Sequence, residues 1–481
     1  MAELADAQGL GPCVLRDLEV RLLSLAVYQS SIQEIRMINK YFELRERNTN
    51  VKVEIVAGLT TFLTMAYIIF VNPAILSAAG MDKQALIIVT CIVTAVVTII
   101  TGLFSNAPIA MAPGMGLNAF LSYTLVLGGK ITWQTALGVV FLSGLLCFVL
   151  TLLGLRKRLV EAIPVGLVSA ISVGIGLFIT FIGLRNMGIV VKNEETLVSA
   201  GPLSWTVVMG LIGLLVMAFL EIKKVRGALL IGIILSTTLA IVSGRVQKPA
   251  ELFSFNFDIR PVAFQLDILG AFKWSLFGSI FALMFMDMFD SIGTLVACCH
   301  EAKMVDQDGK IKGLDRLLAI DAAASMLGAA VGTSTITSYI ESAAGIEEGG
   351  RTGLTSLVTG ICFLLALLFV PIVGVVPDYA TGPALVMVGL FMMKEIKRID
   401  FANMEEAFPA FIIMVMTALS YSISTGLSFG FISFALIKIV SGKSREVKPV
   451  MWVIVILSIL FLTMEQLADI IAQLRSFIMC F

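Results

Sequence analysis

Gly332-Thr-Ser-Thr-Ile-Thr-Ser-Tyr-Ile-Glu-Ser-Ala-Ala-Gly345 is the stretch whose reading decides the fold. It opens with a β-branched, hydroxyl-rich run that favours an extended strand, and it becomes helix-like only after Tyr339. A second stretch, Ala107-Pro-Ile-Ala-Met-Ala-Pro-Gly-Met-Gly-Leu-Asn-Ala-Phe120, is interrupted at Pro113, Gly114 and Gly116. Both lie in apolar sequence of membrane-span character. Irregular backbone at membrane depth leaves N–H and C=O groups without partners, so it persists only where protein or a cavity surrounds it. Two short strands pairing antiparallel would satisfy each other. Each following half-helix would then aim its positive N-terminus at the centre of the molecule.

The surrounding composition agrees. The chain has 481 residues, 58% apolar and 14% charged, with 34 Lys+Arg against 34 Asp+Glu and a mean hydropathy of +0.97. Soluble proteins carry roughly 25% charge. Too little polar surface excludes a soluble globular protein and a disordered chain, and the lack of a basic excess excludes a nucleic-acid partner. The lipid bilayer is the expected solvent. The seven cysteines are scattered, mostly in apolar runs with no CxxC pair, and read as small buried hydrophobes. A single histidine, His300, removes His-based triads and multi-histidine metal sites. With no nucleophile or metal cluster facing water, neither an enzyme nor a resident metal or cofactor is expected.

A membrane helix needs about 20 mainly apolar residues. Hydropathy and helix breakers place fourteen spans near 53–78, 85–104, 109–128, 133–154, 163–184, 203–221, 227–244, 270–298, 314–331, 333–346, 352–372, 381–393, 408–422 and 424–441. Alternate loops are basic: Arg156, Lys157 and Arg158; Lys223, Lys224 and Arg226; Lys394, Lys397 and Arg398. The opposite loops, with Lys83, Lys130, Arg185 and Lys192, are poorer. This asymmetry predicts a multi-pass protein of the cell membrane with both termini cytoplasmic. The interrupted spans, third and tenth, stand seven apart and run in opposite directions. The expected fold is therefore an all-α polytopic membrane protein, a seven-plus-seven inverted repeat whose broken elements meet at the midplane.

The expected divisions are a cytoplasmic segment 37–52, a first repeat 53–244, an extracytoplasmic connection 245–269, a second repeat 270–441 and a cytoplasmic or interfacial tail 442–481. Val450–Thr463, shorter than a span, reads as interfacial or docked on the bundle, with amphipathic Glu465–Arg475 after it. Residues 1–36 share no pattern with the rest. Met1–Ala7 and Val20–Leu22 back-translate to a leucine-type transfer RNA gene, so the working chain is expected to start at Met37. The other reading of 1–36 is a disordered cytoplasmic arm.

Intramembrane carboxylates cost about 2.5–3.5 kcal/mol each even on lenient insertion scales, so each is a functional candidate. Asp287 and Asp290 are three apart in the middle of the eighth span, and so are expected on one helix face. Glu341 sits at the strand-to-helix junction of the tenth span, and Asp321 lies in the ninth. No Lys or Arg is expected in their membrane layer. Acids without a resident cation imply a cation, a proton or a hydrogen-bond-donating substrate. A nucleobase offers N–H donors and a flat apolar face, matching carboxylates plus an aromatic ring. Asn118 could read a donor–acceptor edge or cap a helix, and Phe289, Phe120 and Tyr339 are candidate stacking rings.

Five motifs carry a resemblance: Gly58-Leu-Thr-Thr-Phe-Leu-Thr-Met-Ala-Tyr-Ile-Ile-Phe-Val-Asn-Pro73, Ala112-Pro-Gly-Met-Gly-Leu-Asn-Ala-Phe120, Asp287-Met-Phe-Asp-Ser-Ile-Gly-Thr-Leu295, Thr335 to Gly353, and Ala380-Thr-Gly-Pro-Ala-Leu-Val-Met-Val-Gly389. From about Lys40 to Val440 the chain resembles the nucleobase–ascorbate transporter family, in its adenine/guanine/hypoxanthine permease branch. The resemblance implies a core domain (spans 1–4 and 8–11) moving against a gate domain (spans 5–7 and 12–14). It implies purine binding by Asp287, Glu341 and Asn118, with Asp290 also involved. Ser291 stands where uracil permeases of the family carry a histidine, so proton handling by histidine is not available here. The expected activity is purine import by proton symport, with Asp287, Asp290, Glu341 and Asp321 as proton-coupling candidates. The alternatives are a uracil or xanthine permease and an anion transporter of the same fold. The sequence does not fix the oligomer, although dimers are common among such relatives and a homodimer is one assembly open to the chain.

Overall fold

Several apolar runs begin where a side chain takes up a free N–H group of the first helical turn. Asn50, Asp82, Thr132, Ser204 and Ser422 all do so, opening helices at Val51, Lys83, Trp133, Trp205 and Ile423. The structure is a computed structural model and describes residues 37, 39–156, 163–249, 251–306 and 311–463. The extension 1–36 and the amphipathic 465–475 lie outside the described residues.

The first half contains α1 (Val51–Met65), α2 (Ile68–Ser77), α3 (Lys83–Ser105), β1 (Met111–Pro113), α4 (Met115–Ala119, continuing as a π-helix over Phe120–Gly128), α5 (Trp133–Leu152), α6 (Val165–Asn186), β2 (Val190–Asn193), β3 (Leu197–Ala200), α7 (Trp205–Ile222) and α8 (Ala228–Val242). The second contains α9 (Phe277–Glu301), α10 (Leu314–Val331), β4 (Ile336–Ser338), α11 (Ser342–Glu347), α12 (Gly353–Ala366), α13 (Asp378–Met392), α14 (Met404–Leu419), α15 (Ile423–Val440) and α16 (Pro449–Thr463). The expected spans fall on helices or strand–helix pairs, the first of them on two helices, α1 and α2. Among the described residues, eight helical segments are long and apolar enough to cross a membrane.

The interrupted segments pair as the sequence suggests. β1 and β4 are antiparallel, with Met111 opposite Ser338, Ala112 opposite Thr337 and Pro113 opposite Ile336. Pro113 has no N–H to give, and the ladder ends just beyond it with Gly114 N–H donating to Thr335 O at 3.0 Å. A further sheet was not expected: β2 and β3 form a hairpin between α6 and α7. Its turn is built by Asn193, whose side chain accepts from the N–H groups of Glu195 (2.8 Å) and Thr196 (2.9 Å) between two β-branched stretches.

Helices approach closely where small residues face each other, as lipid-embedded packing requires. α3 meets α12 at Gly102 and Gly353, and a Cβ on Gly353 would sit 1.9 Å from Gly102 O. Buried Glu54, at the start of α1, accepts from the N–H groups of Arg351, Thr352 and Thr355 and so caps α12 from across the bundle. α14 is tied to α15 and the segment after it through Glu405, where Lys443 and Lys438 hold the carboxyl down to about 2. The C-terminal helix α16 is docked on the bundle: Met451 is fully buried, and Phe461 packs on Gly278 at the start of α9.

The α3–α12 contact makes a stability prediction. Gly353→Ala should overpack it by about 1–3 kcal/mol and lower the melting temperature of the detergent-solubilised protein. Gly374→Ala, where a Cβ meets nothing within 4 Å, should leave it unchanged. Equal melting temperatures would mean that the two helices can part at no cost.

Candidate functional site

The β1–β4 ladder places two helix starts beside it, α4 after Gly114 and α11 after Glu341. Against them lies a cavity of about 590 Å³. Its inner wall includes Gly114 and Gly116, Thr337 to Glu341 and, from α9, Phe289, Asp290, Gly293 and Thr294. α1 adds Thr64, the start of α2 adds Tyr67, and α6 adds Val168 and Ser169. The mouth is lined by Glu221, Val225 and Gly227 to Leu229, and by Lys394, Glu395 and Arg398.

Glu341 is held by the Tyr67 hydroxyl, which donates to its Oε1 at 2.5 Å. Thr337 on β4 donates to Asp290 Oδ2 at 3.4 Å. The Phe289 ring lies nearly parallel to Phe285, at 14° and 6.3 Å between centroids, and its other surroundings include the cavity. Tyr339 lines the cavity while donating its hydroxyl to Pro113 O at 2.5 Å, which fixes the ring to the end of β1. Glu341, Asp290, Phe289 and Tyr339 are therefore brought together.

The remaining expected residues are placed one layer deeper. Asp287 is 1% exposed and does not line the cavity. Three residues of helix turn a side chain by about 60° relative to its neighbour, enough to split Asp287 from Asp290 where one shared face was expected. Asn118 is fully buried, and its amide is used within the protein: Nδ2 donates to Asn72 Oδ1 at 2.5 Å, and Ser334 donates to its Oδ1. It caps no helix. Phe120 is fully buried in packing. Asp321 is fully buried too, and it corrects one expectation: a cation does lie in its layer. Arg156 follows the end of α5 and reads as a loop residue beside Lys157 and Arg158. Its guanidinium nevertheless turns inward to Asp321 Oδ2 at 2.8 Å.

Sequence reasoning missed Tyr67, Asn72, Thr337 and Ser334 as site-forming groups. Tyr67 and Asn72 are polar residues in the otherwise apolar Ile68–Val71 surroundings of the first motif, which was the available signal. Asn72 also donates to Thr90 at 2.7 Å and to Thr333 at 3.3 Å, knitting α2 to α3 and to the segment before β4.

With this geometry in hand, comparison with known proteins is informative. A profile described as the permease family matches residues 52–429. The chain belongs to the nucleobase–ascorbate transporter family. It is similar to the adenine permease AdeP of Escherichia coli K12, with 40% identity over 425 residues that cover 88% of this chain and 95% of that one. It is also 40% identical to the guanine/hypoxanthine permease PbuO of Bacillus subtilis, over 86% of this chain and 98% of the relative. Among solved structures, the transmembrane domain of the cyanobacterial bicarbonate transporter BicA superposes with a TM-score of 0.58, covering 79% of this chain and 97% of that one. At 17% identity, that likeness shows the fold alone. Members of the family are permeases and not enzymes, and the protein is an integral membrane protein.

The layering predicts chemical accessibility. In a background without native cysteines, Thr294→Cys and Ala344→Cys, both on the cavity wall, should react with a water-soluble maleimide. Ser334→Cys, fully buried beside Asn118, should not. Equal labelling of all three would place Asn118 on the water-filled side after all.

Proposed function

We propose that the protein imports purine nucleobases, adenine, guanine and hypoxanthine, by proton symport across the cell membrane. The observation that carries this reading is the convergence of Glu341, Asp290 and the Phe289 ring on one cavity at the β1–β4 ladder. Carboxylates accept the N–H donors of a purine edge, and the ring offers its face to the flat base. The purine class is supported by the similarity to adenine and guanine/hypoxanthine permeases. Uracil, xanthine and anion transport are not favoured: adenine and guanine/hypoxanthine permeases are similar at 40% identity, and the bicarbonate and anion transporters among the solved structures share the fold at only 9–17%.

In this reading the fourteen segments all span, as seven plus seven, and spans 1–4 and 8–11 form a core that moves against a gate of spans 5–7 and 12–14. Glu341, oriented by Tyr67, accepts a purine N–H. Asp290 is the second acceptor and the acid in contact with the cavity, Asp287 holds the exchangeable proton behind it, and Asn118 fixes the start of α4 against Ser334. The mouth, between the loops carrying Arg226 and Arg398, belongs to the basic side that the positive-inside rule assigns to the cytoplasm, with both termini there. The conformation is then inward-facing. A proton taken up outside neutralises an acid in the desolvated site, the core moves with purine bound, and the higher internal pH releases both. The membrane potential contributes about 2.3 kcal/mol per charge per 100 mV.

Purified protein in liposomes with an acidic exterior should accumulate radiolabelled hypoxanthine, and a protonophore should abolish the accumulation. Glu341→Gln loses a charged acceptor worth about 1.5–3 kcal/mol, so it should weaken uptake by roughly 10- to 100-fold, and Asp287→Asn should abolish accumulation, with both variants inserted. Uptake at the wild-type level in either variant, or none of any purine by the wild type, sinks the assignment.

A further inference from the structure

The pair behind the cavity has no part in the cycle above, yet it is a buried, directly bonded ion pair in the protein's interior. Arg156, 1% exposed, donates to Asp321 Oδ2 at 2.8 Å and to Leu318 O at 3.0 Å. Asp321 also accepts from the Ser291 hydroxyl at 2.7 Å and from the Ser338 backbone N–H. Ser291 lies beside Asp290 and one turn after Asp287, and its own carbonyl accepts from the Ser338 hydroxyl at 3.3 Å. One carboxylate therefore ties the end of α5, α9, α10 and the last residue of β4 together.

Asp287 is bonded quite differently. Its Oδ2 has one contact, the Ser325 hydroxyl at 3.3 Å, and its Oδ1 is buried without a partner. The Nε of Arg156 is likewise buried and unpartnered. Asp287 lies one turn before Ser291 on α9 and bonds Ser325, one turn after Asp321 on α10, so the Arg156–Asp321 pair occupies the neighbouring turn of the same two helices. One buried cation thus serves two buried carboxylates, and it is committed by geometry to one of them. The other titratable groups around Asp287 are Cys147 on α5 and Asp290 on α9, while Tyr339 and Glu341, next to α11, face Asp290 instead. α4 carries no charge, and α6 and α15, also packed on α9, carry theirs only at their far ends, Arg185 and Lys438.

We propose that Arg156 and Asp321 are positioning residues for transport: their pair fixes α9 against β4 through Ser291, and its balance of charge sets the pH at which Asp287 exchanges its proton. The inference rests on the purine–proton reading above. The signs are opposite for the two partners. Removing the cation makes an anion at Asp287 harder to form, so proton release moves to higher pH. Removing the Asp321 anion leaves Arg156 to Asp287, so release moves to lower pH. Removing both restores the balance.

The test is the pH profile of hypoxanthine uptake into proteoliposomes, with KM and Vmax measured separately. Arg156→Gln should shift the midpoint up by about one pH unit and Asp321→Asn down by about one, while Arg156→Gln/Asp321→Asn returns it to within half a unit of wild type. Arg156→Lys keeps the charge and loses the second donor, so it should weaken uptake a fewfold with the midpoint unmoved. That variant and the charge-balanced double variant remain informative if the single variants fail to insert: a moved midpoint in either overturns the proposal. Single shifts in the same direction, or no shift in inserted protein, overturn it as well. Wild-type protein without uptake overturns the parent reading, whereas wild-type uptake with unmoved variants overturns this inference alone.

Discussion

Backbone polarity is the constraint on which the centre of this molecule depends. Two stretches of chain give up helical hydrogen bonding at membrane depth, and each has to find partners in the other. The pairing of Met111–Pro113 with Ile336–Ser338 supplies them, and flanking groups complete the set: Tyr339 N–H donates to Ala110 O at 3.0 Å, Ala110 N–H to Ser342 Oγ at 3.0 Å and Met111 N–H to Thr98 Oγ1 at 3.1 Å. Thr98 on α3 and Ser342 on α11 thus act as substitutes for a third and fourth strand. The short helices that follow cannot start anywhere else. As a result Gly114, Thr337, Tyr339 and Glu341 are delivered to one wall of one cavity.

The acids of the interior are not equivalent, and the difference follows from who donates to them. Asp321 is saturated by a guanidinium, a hydroxyl and a backbone N–H, a set suited to a permanent anion. Glu341 has one short bond from Tyr67 and otherwise looks onto the cavity, leaving acceptor capacity for a ligand. Asp290 has one long bond, from Thr337 at 3.4 Å, and Asp287 one from Ser325 at 3.3 Å with its Oδ1 buried and unpartnered. Structural charge and exchangeable charge are thereby separated by their donors, since Asp321 and Asp287 share the deeper layer while Glu341 and Asp290 line the cavity.

How much of this the sequence revealed depends on whether the signal was local. The strand–helix breaks at Pro113–Gly116 and Thr333–Tyr339 are local, since β-branched residues, Pro and Gly act on their own backbone, and both were readable. The candidate acids were readable because charge in an apolar run is conspicuous. What escaped was set by helical phase and long-range packing. Asp290 rather than Asp287 faces the cavity because of where α9 is rotated against β4, which no count along the chain discloses. Arg156 was hidden among Lys157 and Arg158, since a basic loop and a buried guanidinium have the same composition. Asn118 carries the motif's amide, but its partners Asn72 and Ser334 lie 46 and 216 positions away.

The placement of the polar bonds also bears on the proposed motion. The buried networks around Asp321, Asn118 and Glu54 join segments 51–156 to segments 277–374, all within what is proposed as the core, on one side of its seam with the proposed gate. Across the seam the contacts include close apolar ones, such as Gly116 against the Ile175 side chain on α6, where a Cβ would sit 2.6 Å away. Two ion pairs also cross it, Lys83–Asp378 at 3.8 Å and Arg226–Glu348, on opposite sides by the expected topology. Both are partly exposed, and pairs in that position contribute about 0–1 kcal/mol and exchange readily with water. A core that shifts against its gate therefore gives up bonds that water can replace and retains those it cannot. Had the Arg156–Asp321 pair bridged the seam instead, each cycle would have exposed a buried charge at a cost of several kcal/mol, more than 100 mV of membrane potential returns for one proton.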